Sequence, residues 1–146
     1  MLKGISPLLS PKLLAALCRM GHGDEIILAD AHYPAHSSGI QVLRADGTQV
    51  EPLLRAILPL FALDTPPYVP TPVTMMGPEP GDAIDPAVEA SYRAALDELA
   101  PGTPDFGLIE RKDFYEHAKG VFIIVQTSDT RRYANLILRK GVSTPP

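Results

Sequence analysis

The chain has 146 residues, and 13 Lys and Arg against 17 Asp and Glu give a net charge of −4, which argues against nucleic acid or an anionic membrane as a partner. Hydrophobic residues make up 45% and charged residues 21%, a balance that furnishes a core and excludes intrinsic disorder. A chain of this length typically buries about 70% of its unfolded surface, so one domain over residues 1–146 is expected.

Met1 to Pro7 contains no long apolar stretch ending in a small-residue cleavage site, so a cytoplasmic location is the expectation. Ser10-Pro11, the apolar pattern Leu13 to Met20 and then Gly21 predict a helix with a serine N-cap, proline in its first turn and a glycine stop. Cys18, the sole cysteine, can form neither an internal disulfide nor a CxxC zinc site, and its helical setting predicts packing as a small hydrophobe. Glu25 to Ala29 is a short, branched apolar run, the pattern of a strand buried on both faces. A second strand is predicted over Ile40 to Arg44, closed by the turn Ala45-Asp46-Gly47. A helix from Glu51 to Leu63 follows. It includes the longest apolar run, Ala56 to Leu63, which is too short to cross a membrane.

Between Asp64 and Pro80 lie Pro66, Pro67, Pro70, Pro72, Pro78 and Pro80. They predict a strand at Val73 to Met76 framed by stiff loops, with limited sheet pairing. Asp85-Pro86 opens a helix that runs to Ala100, with Val88, Tyr92, Ala95, Leu96 and Leu99 on one face, and Pro101-Gly102 ends it. The last third alternates strand Gly107 to Glu110, helix Lys112 to Lys119, strand Val121 to Thr127, a turn or short helix Asp129 to Ala134, and strand Asn135 to Arg139. This alternation predicts an α/β fold, a single layered domain with a mixed, mainly parallel sheet flanked by helices.

Three of the four histidines fall within fifteen residues, in Gly21-His22-Gly23-Asp24-Glu25 and Asp30-Ala31-His32-Tyr33-Pro34-Ala35-His36. The second segment follows the carboxyl end of the apolar strand, where ligands sit in open α/β sheets. The plain alternative is that Asp24 and Asp30 cap turns while the histidines satisfy loop backbone. Asp30, His32 and His36 are also ligand types suited to zinc or iron. However, Pro34 breaks the helical face that a histidine pair such as HExxH requires and favours an extended loop. No GxSxG elbow, GxGxxG or GxxxxGK[ST] loop is present, which disfavours covalent chemistry and a nucleotide cofactor. A second polar group comprises Arg111, Tyr115, Glu116, His117, Arg131, Arg132, Tyr133 and Asn135. Arginine forks, tyrosine rings and asparagine amides suit sugar hydroxyls, whereas Glu116, His117 and Arg131 read better as a charged surface.

The chain resembles the L-fucose mutarotases, a family related to the D-ribose pyranases. The carriers are Met1 to Pro11, Met20 to Ile27, Asp30 to His36, Arg44-Ala45-Asp46-Gly47, Phe114-Tyr115-Glu116, Tyr133-Ala134-Asn135 and Leu138 to Val142, which together span nearly the whole chain. The resemblance implies interconversion of the α and β anomers of L-fucose without a cofactor or metal. His22 falls on the family's proton donor, and Asp30, Arg111, Tyr133, Ala134 and Asn135 fall on its sugar-binding positions. Where the family commonly has glycine, this chain has Ala134. The resemblance also implies ring-like homo-oligomers with sites completed at subunit contacts. Opening a sugar ring requires one acid and one base, and histidine serves both roles near neutrality. His22 and Asp30 are therefore the expected catalytic pair, with Tyr115 as an aromatic wall for the sugar's apolar face. His32 and His36 are open between pocket lining and loop support. A D-ribose pyranase, a non-catalytic monosaccharide-binding or regulatory protein and a metal-dependent hydrolase are the competing readings.

Overall fold

The computed structural model describes residues 2–144. Helix α1 (Pro11–Arg19) begins where Ser10 caps it, its side chain accepting from the Leu13 amide, and buries Leu13, Ala16 and Leu17. Strand β1 (Glu25–Ala29) follows, then a 3₁₀ turn at Ala35–Ser38, strand β2 (Val42–Ala45) and helix α2 (Val50–Ile57). Strand β3 (Val73–Met76), helix α3 (Pro86–Leu99), strand β4 (Gly107–Ile109), helix α4 (Arg111–Ala118), strand β5 (Ile123–Thr127) and strand β6 (Leu136–Arg139) complete the chain.

The six strands form one sheet in the order β2-β5-β1-β6-β3-β4. β1 and β2 pair parallel to β5, and β3 pairs parallel to β4. β6 runs antiparallel to both β1 and β3, so β1 to β5 all point one way and β6 alone is reversed. This is the mixed, mainly parallel α/β sheet that the sequence predicts. β1 is central and takes up its branched residues on both faces. Ile26 and Leu28 join the core under α1, α2 and α3, while Ile27 and Ala29 join the one under α4. At the end of β5, buried Asp129 accepts from the Val50 amide and from Arg131, tying the start of α2 to the sheet.

Four expectations are corrected. β3 is paired on both sides rather than limited by its prolines, because Pro72 and Pro78 lie just outside Val73–Met76 and leave its amides free for the ladder. The helix from Glu51 ends as α-helix at Ile57 and tightens into a 3₁₀ turn over Leu58–Leu60, since Pro59 supplies no amide to continue the ladder. Cys18 is exposed, because it lies off the stripe formed by Leu13, Ala16, Leu17 and Met20. The loop after Pro34 is not extended. It closes into the Ala35–Ser38 turn, where the Ser38 hydroxyl donates to the Ala35 carbonyl. Among the described residues, no helix is long and apolar enough to cross a membrane.

Candidate active site

The direction of the strands decides where side chains converge. The carboxyl ends of β1, β3 and β4 and the amino end of the reversed β6 meet at one edge of the sheet, and a cavity of about 390 Å³ opens there. Its volume lies within the roughly 300–1,000 Å³ of small-ligand sites. Asp30 follows β1, Met76 ends β3, Arg111 and Tyr115 project from α4, and Tyr133 and Asn135 precede β6.

Asp30 is the buried centre of this edge, 2% exposed. Its Oδ1 accepts from the His32 amide at 2.9 Å and its Oδ2 from the Ala134 amide at 3.2 Å. The Asp30 amide in turn donates to Asn135 Oδ1 at 2.8 Å. Burial pushes the Asp30 carboxyl above the usual carboxylate range, against the lowering effect of these backbone donors. Each of its oxygens holds a spare lone pair for a ligand hydroxyl.

The neighbouring segment is fixed from behind. Tyr133 adopts φ 59°, a conformation costly for a bulky side chain, and this turns the chain so that the Ala134 amide faces Asp30. Ala134 itself does not need the left-handed conformation, so the alanine at a position commonly glycine is accommodated. The Ala134 carbonyl accepts from the hydroxyl of buried Tyr92 on α3 at 2.8 Å. With both backbone polar groups engaged, Ala134 is buried and does not line the cavity, whereas Tyr133 and Asn135 do.

One wall is aromatic. Tyr115 meets Tyr33 edge to face at 5.5 Å, and Tyr33 meets Phe114 at 5.9 Å. Arg111 lies over Tyr115 at 5.3 Å and donates from Nε to its hydroxyl at 2.9 Å. Two acidic residues that sequence reasoning missed complete the opposite rim. Glu79 accepts from Arg111 at 3.2 Å, and Asp82 accepts from the Tyr133 hydroxyl at 2.6 Å. The Tyr133 hydroxyl, with help from Arg132, holds Asp82 below the usual carboxylate range. Glu79 sits in the proline-rich stretch and Asp82 two residues beyond it, where the chain carries no periodic signal. Their only clue was polar residues next to Gly77 and Gly81.

The histidines separate. His32 lines the cavity, and its Nε2 lies 3.2 Å from the Thr130 carbonyl. His36 is exposed on the 3₁₀ turn and outside the cavity, so Asp30, His32 and His36 do not converge on one point. Among the described residues, no three metal-ligating side chains cluster. His117 pairs with Glu25, and Glu116 with Lys119 at 2.7 Å.

His22 is also outside the cavity. It precedes β1 whereas Asp30 follows it, and five strand residues at about 3.3 Å each separate the two ends by roughly 16 Å. At its own end of the sheet, His22 Nε2 lies 3.1 Å from Asp64 Oδ1, and Arg139 donates to Asp64 Oδ2 at 3.1 Å. Burial raises the Asp64 carboxyl, but the His22 and Arg139 hydrogen bonds outweigh it and hold the group below the usual carboxylate range. The exposed Tyr68 ring stands edge-on to His22 at 5.4 Å.

Comparison with known proteins places this arrangement. The profile of the RbsD / FucU transport protein family matches residues 3–143. The crystal structure of FucU from Bifidobacterium longum is 41% identical, with a TM-score of 0.91 over 97% of this chain and 100% of that one. A fucose mutarotase from Streptococcus pneumoniae, solved in complex with L-fucose, is likewise 41% identical, with a TM-score of 0.89 over 98% of this chain and 100% of that one. Bacillus subtilis RbsD, solved with D-ribose, shares the fold at 20% identity and a TM-score of 0.74, over 99% of this chain and 100% of that one. With the family profile covering nearly its whole length and two solved relatives at 41% identity, the chain belongs to the RbsD / FucU family.

Proposed function

We propose that this protein is a sugar mutarotase that interconverts the α and β anomers of L-fucose by general acid–base opening and closure of the ring. The observation that carries the reading is 41% identity across the full length of a fucose mutarotase solved with L-fucose. The cavity chemistry supports it independently, since a carboxylate, a guanidinium, a phenol, an amide and an aromatic wall line one cavity. That combination suits a ring bearing several hydroxyls on one side and a methyl group on the other.

In the reaction the anomeric hydroxyl loses its proton and the ring oxygen gains one. The bond between the anomeric carbon and the ring oxygen breaks, the aldehyde rotates, and the ring recloses on its other face with the protons returned. Asp30 accepts from a sugar hydroxyl while Arg111, Tyr133 and Asn135 hold the others, and Tyr115 covers the apolar face. His22 is the proton donor and acceptor. Because it lies at the far end of β1 from Asp30, it serves the cavity of a neighbouring copy, and the working enzyme is a closed homo-oligomer with sites at subunit contacts. General acid–base catalysis contributes about 10² to 10⁴-fold, a sufficient acceleration for a reaction that already proceeds in water.

Saturation-transfer NMR on equilibrated L-fucose tests this, with D-ribose as the parallel substrate. Wild-type protein should accelerate anomer exchange of L-fucose, and His22→Ala should abolish the acceleration. Acceleration of neither sugar would leave a binding protein in its place, and preference for D-ribose would make it a pyranase.

A further inference from the structure

Tyr133 lines the cavity, and a single turn grips its hydroxyl. The turn runs from Glu79 to Asp82. It closes where the Asp82 amide donates to the Glu79 carbonyl at 2.9 Å, and Gly81 at φ +89° lets the chain reverse there. Both ends of the turn meet the same oxygen. The Glu79 amide donates to the Tyr133 hydroxyl at 3.3 Å, and the hydroxyl donates to Asp82 Oδ2 at 2.6 Å.

Arg132 braces the contact from outside. Its Nη2 donates to the same Asp82 oxygen at 2.6 Å, and its guanidinium lies over the Tyr133 ring at 5.4 Å. Tyr133 is buried and its backbone is turned to φ 59°, so the ring is fixed from both ends.

A phenol has one proton and two lone pairs to offer. The Tyr133 bond is the largest influence that holds Asp82 below the usual carboxylate range, so Asp82 is ionised and only accepts. The phenolic proton is therefore committed to Asp82, and the Glu79 amide occupies one lone pair. One lone pair remains for a ligand. Donation to a carboxylate also polarises the phenol oxygen and makes it a stronger acceptor.

We propose that Asp82 is the positioning residue for Tyr133, taking up the phenolic proton so that Tyr133 meets the sugar as an acceptor only and selects a hydroxyl that donates at that place on the ring. The inference rests on the reading of the cavity as a sugar site given above.

The test uses L-fucose analogues in which one ring hydroxyl at a time is replaced by hydrogen or by fluorine, competing with L-fucose in the exchange measurement. Fluorine cannot donate, and opposite Tyr133 it sets lone pair against lone pair. At that position the fluoro analogue should bind wild-type protein about tenfold more weakly than the deoxy analogue, a difference of one hydrogen bond. Tyr133→Phe should remove this penalty, whereas a penalty facing the Asp30 carboxylate survives it. In Asp82→Ala the phenolic proton is released to the cavity and the Tyr133 penalty should vanish, while a loss of shape alone would weaken both analogues equally. Asp82→Asn, whose amide oxygen stands in for Oδ2, should keep most of it.

Should Asp82→Ala not fold, the unliganded wild type decides. The Tyr133 phenolic proton, held on Asp82, should exchange with water more slowly than that of exposed Tyr68, and equal rates overturn the inference. No penalty that Tyr133→Phe removes, or one that persists in Asp82→Ala, overturns the role of Asp82 and leaves the mutarotase reading intact. Absence of any L-fucose binding or exchange in the wild type overturns both.

Discussion

His22 and Asp30 stand at opposite ends of the same strand, β1, one before Glu25 and the other after Ala29. No motion within one folded subunit brings them together, because β1 is held between β5 and β6 along its length. Two residues close in sequence thus lie at two different ends of the sheet. On the reading proposed above, they meet only across two copies of the chain.

Arg111 is an exposed arm of the cavity, held by Tyr115 and Glu79. Replacing it with alanine is expected to raise KM for L-fucose about tenfold or more, and lysine should not restore it, because a point charge cannot reproduce a planar fork. Titration of anomer exchange against sugar concentration checks this. Equal KM in Arg111→Lys and wild type would mean that only charge is needed there.

Tyr92 does not line the cavity, yet its hydroxyl fixes the Ala134 carbonyl from the α3 side. Tyr92→Phe removes one buried hydrogen bond and should cost about 1 kcal/mol, or roughly 2–4 °C in Tm for a chain of this size. It should also raise KM more than it lowers kcat, since the loosened Tyr133 to Asn135 segment is the one proposed to hold sugar hydroxyls. Melting curves and exchange kinetics on the same samples separate the two effects.

Stability should fall in acid. Asp64, Asp82 and Asp129 are held below the usual carboxylate range in the fold. Their contribution is complete above the unfolded value of about 3.9 and is lost as pH falls through the lower folded values. Asp30 works the other way. Burial raises its pKa, so its contribution is complete below about 3.9 and is lost as pH rises through the folded value. With three groups against one, Tm measured from pH 6 down to pH 2 is expected to drop in its lower half. A Tm that rises on acidification would contradict the assignment of these ion pairs.

Much of the architecture was legible because it rests on local pattern. The run Glu25 to Ala29 could only be a doubly buried strand, and Ser10-Pro11 and Asp85-Pro86 are N-caps followed by proline, as the helices confirm. Cys18 is outside because it falls off the Leu13, Ala16, Leu17 and Met20 stripe, which its helical setting alone did not reveal. Asp30 was legible as a candidate at the carboxyl end of a strand, and Arg111, Tyr115, Tyr133 and Asn135 as residue types that suit sugar hydroxyls; the cavity gathers all five. Asp64, Glu79 and Asp82 were not. Their partners lie 42, 32 and 51 residues away, and the prolines around them erase any period that would fix which way they face. Nor could spacing reveal that His22 and Asp30 diverge, because that depends on the chain passing through the whole sheet between them.

Co-expression of His22→Ala with Asp30→Asn tests the central claim most directly. Each variant alone should be inactive on L-fucose. In randomly mixed oligomers, about a quarter of the sites join an intact Asp30 from one subunit to an intact His22 from the next, so activity should recover to about that fraction of wild type. A mixed oligomer as inactive as its two parents would contradict a site shared between subunits.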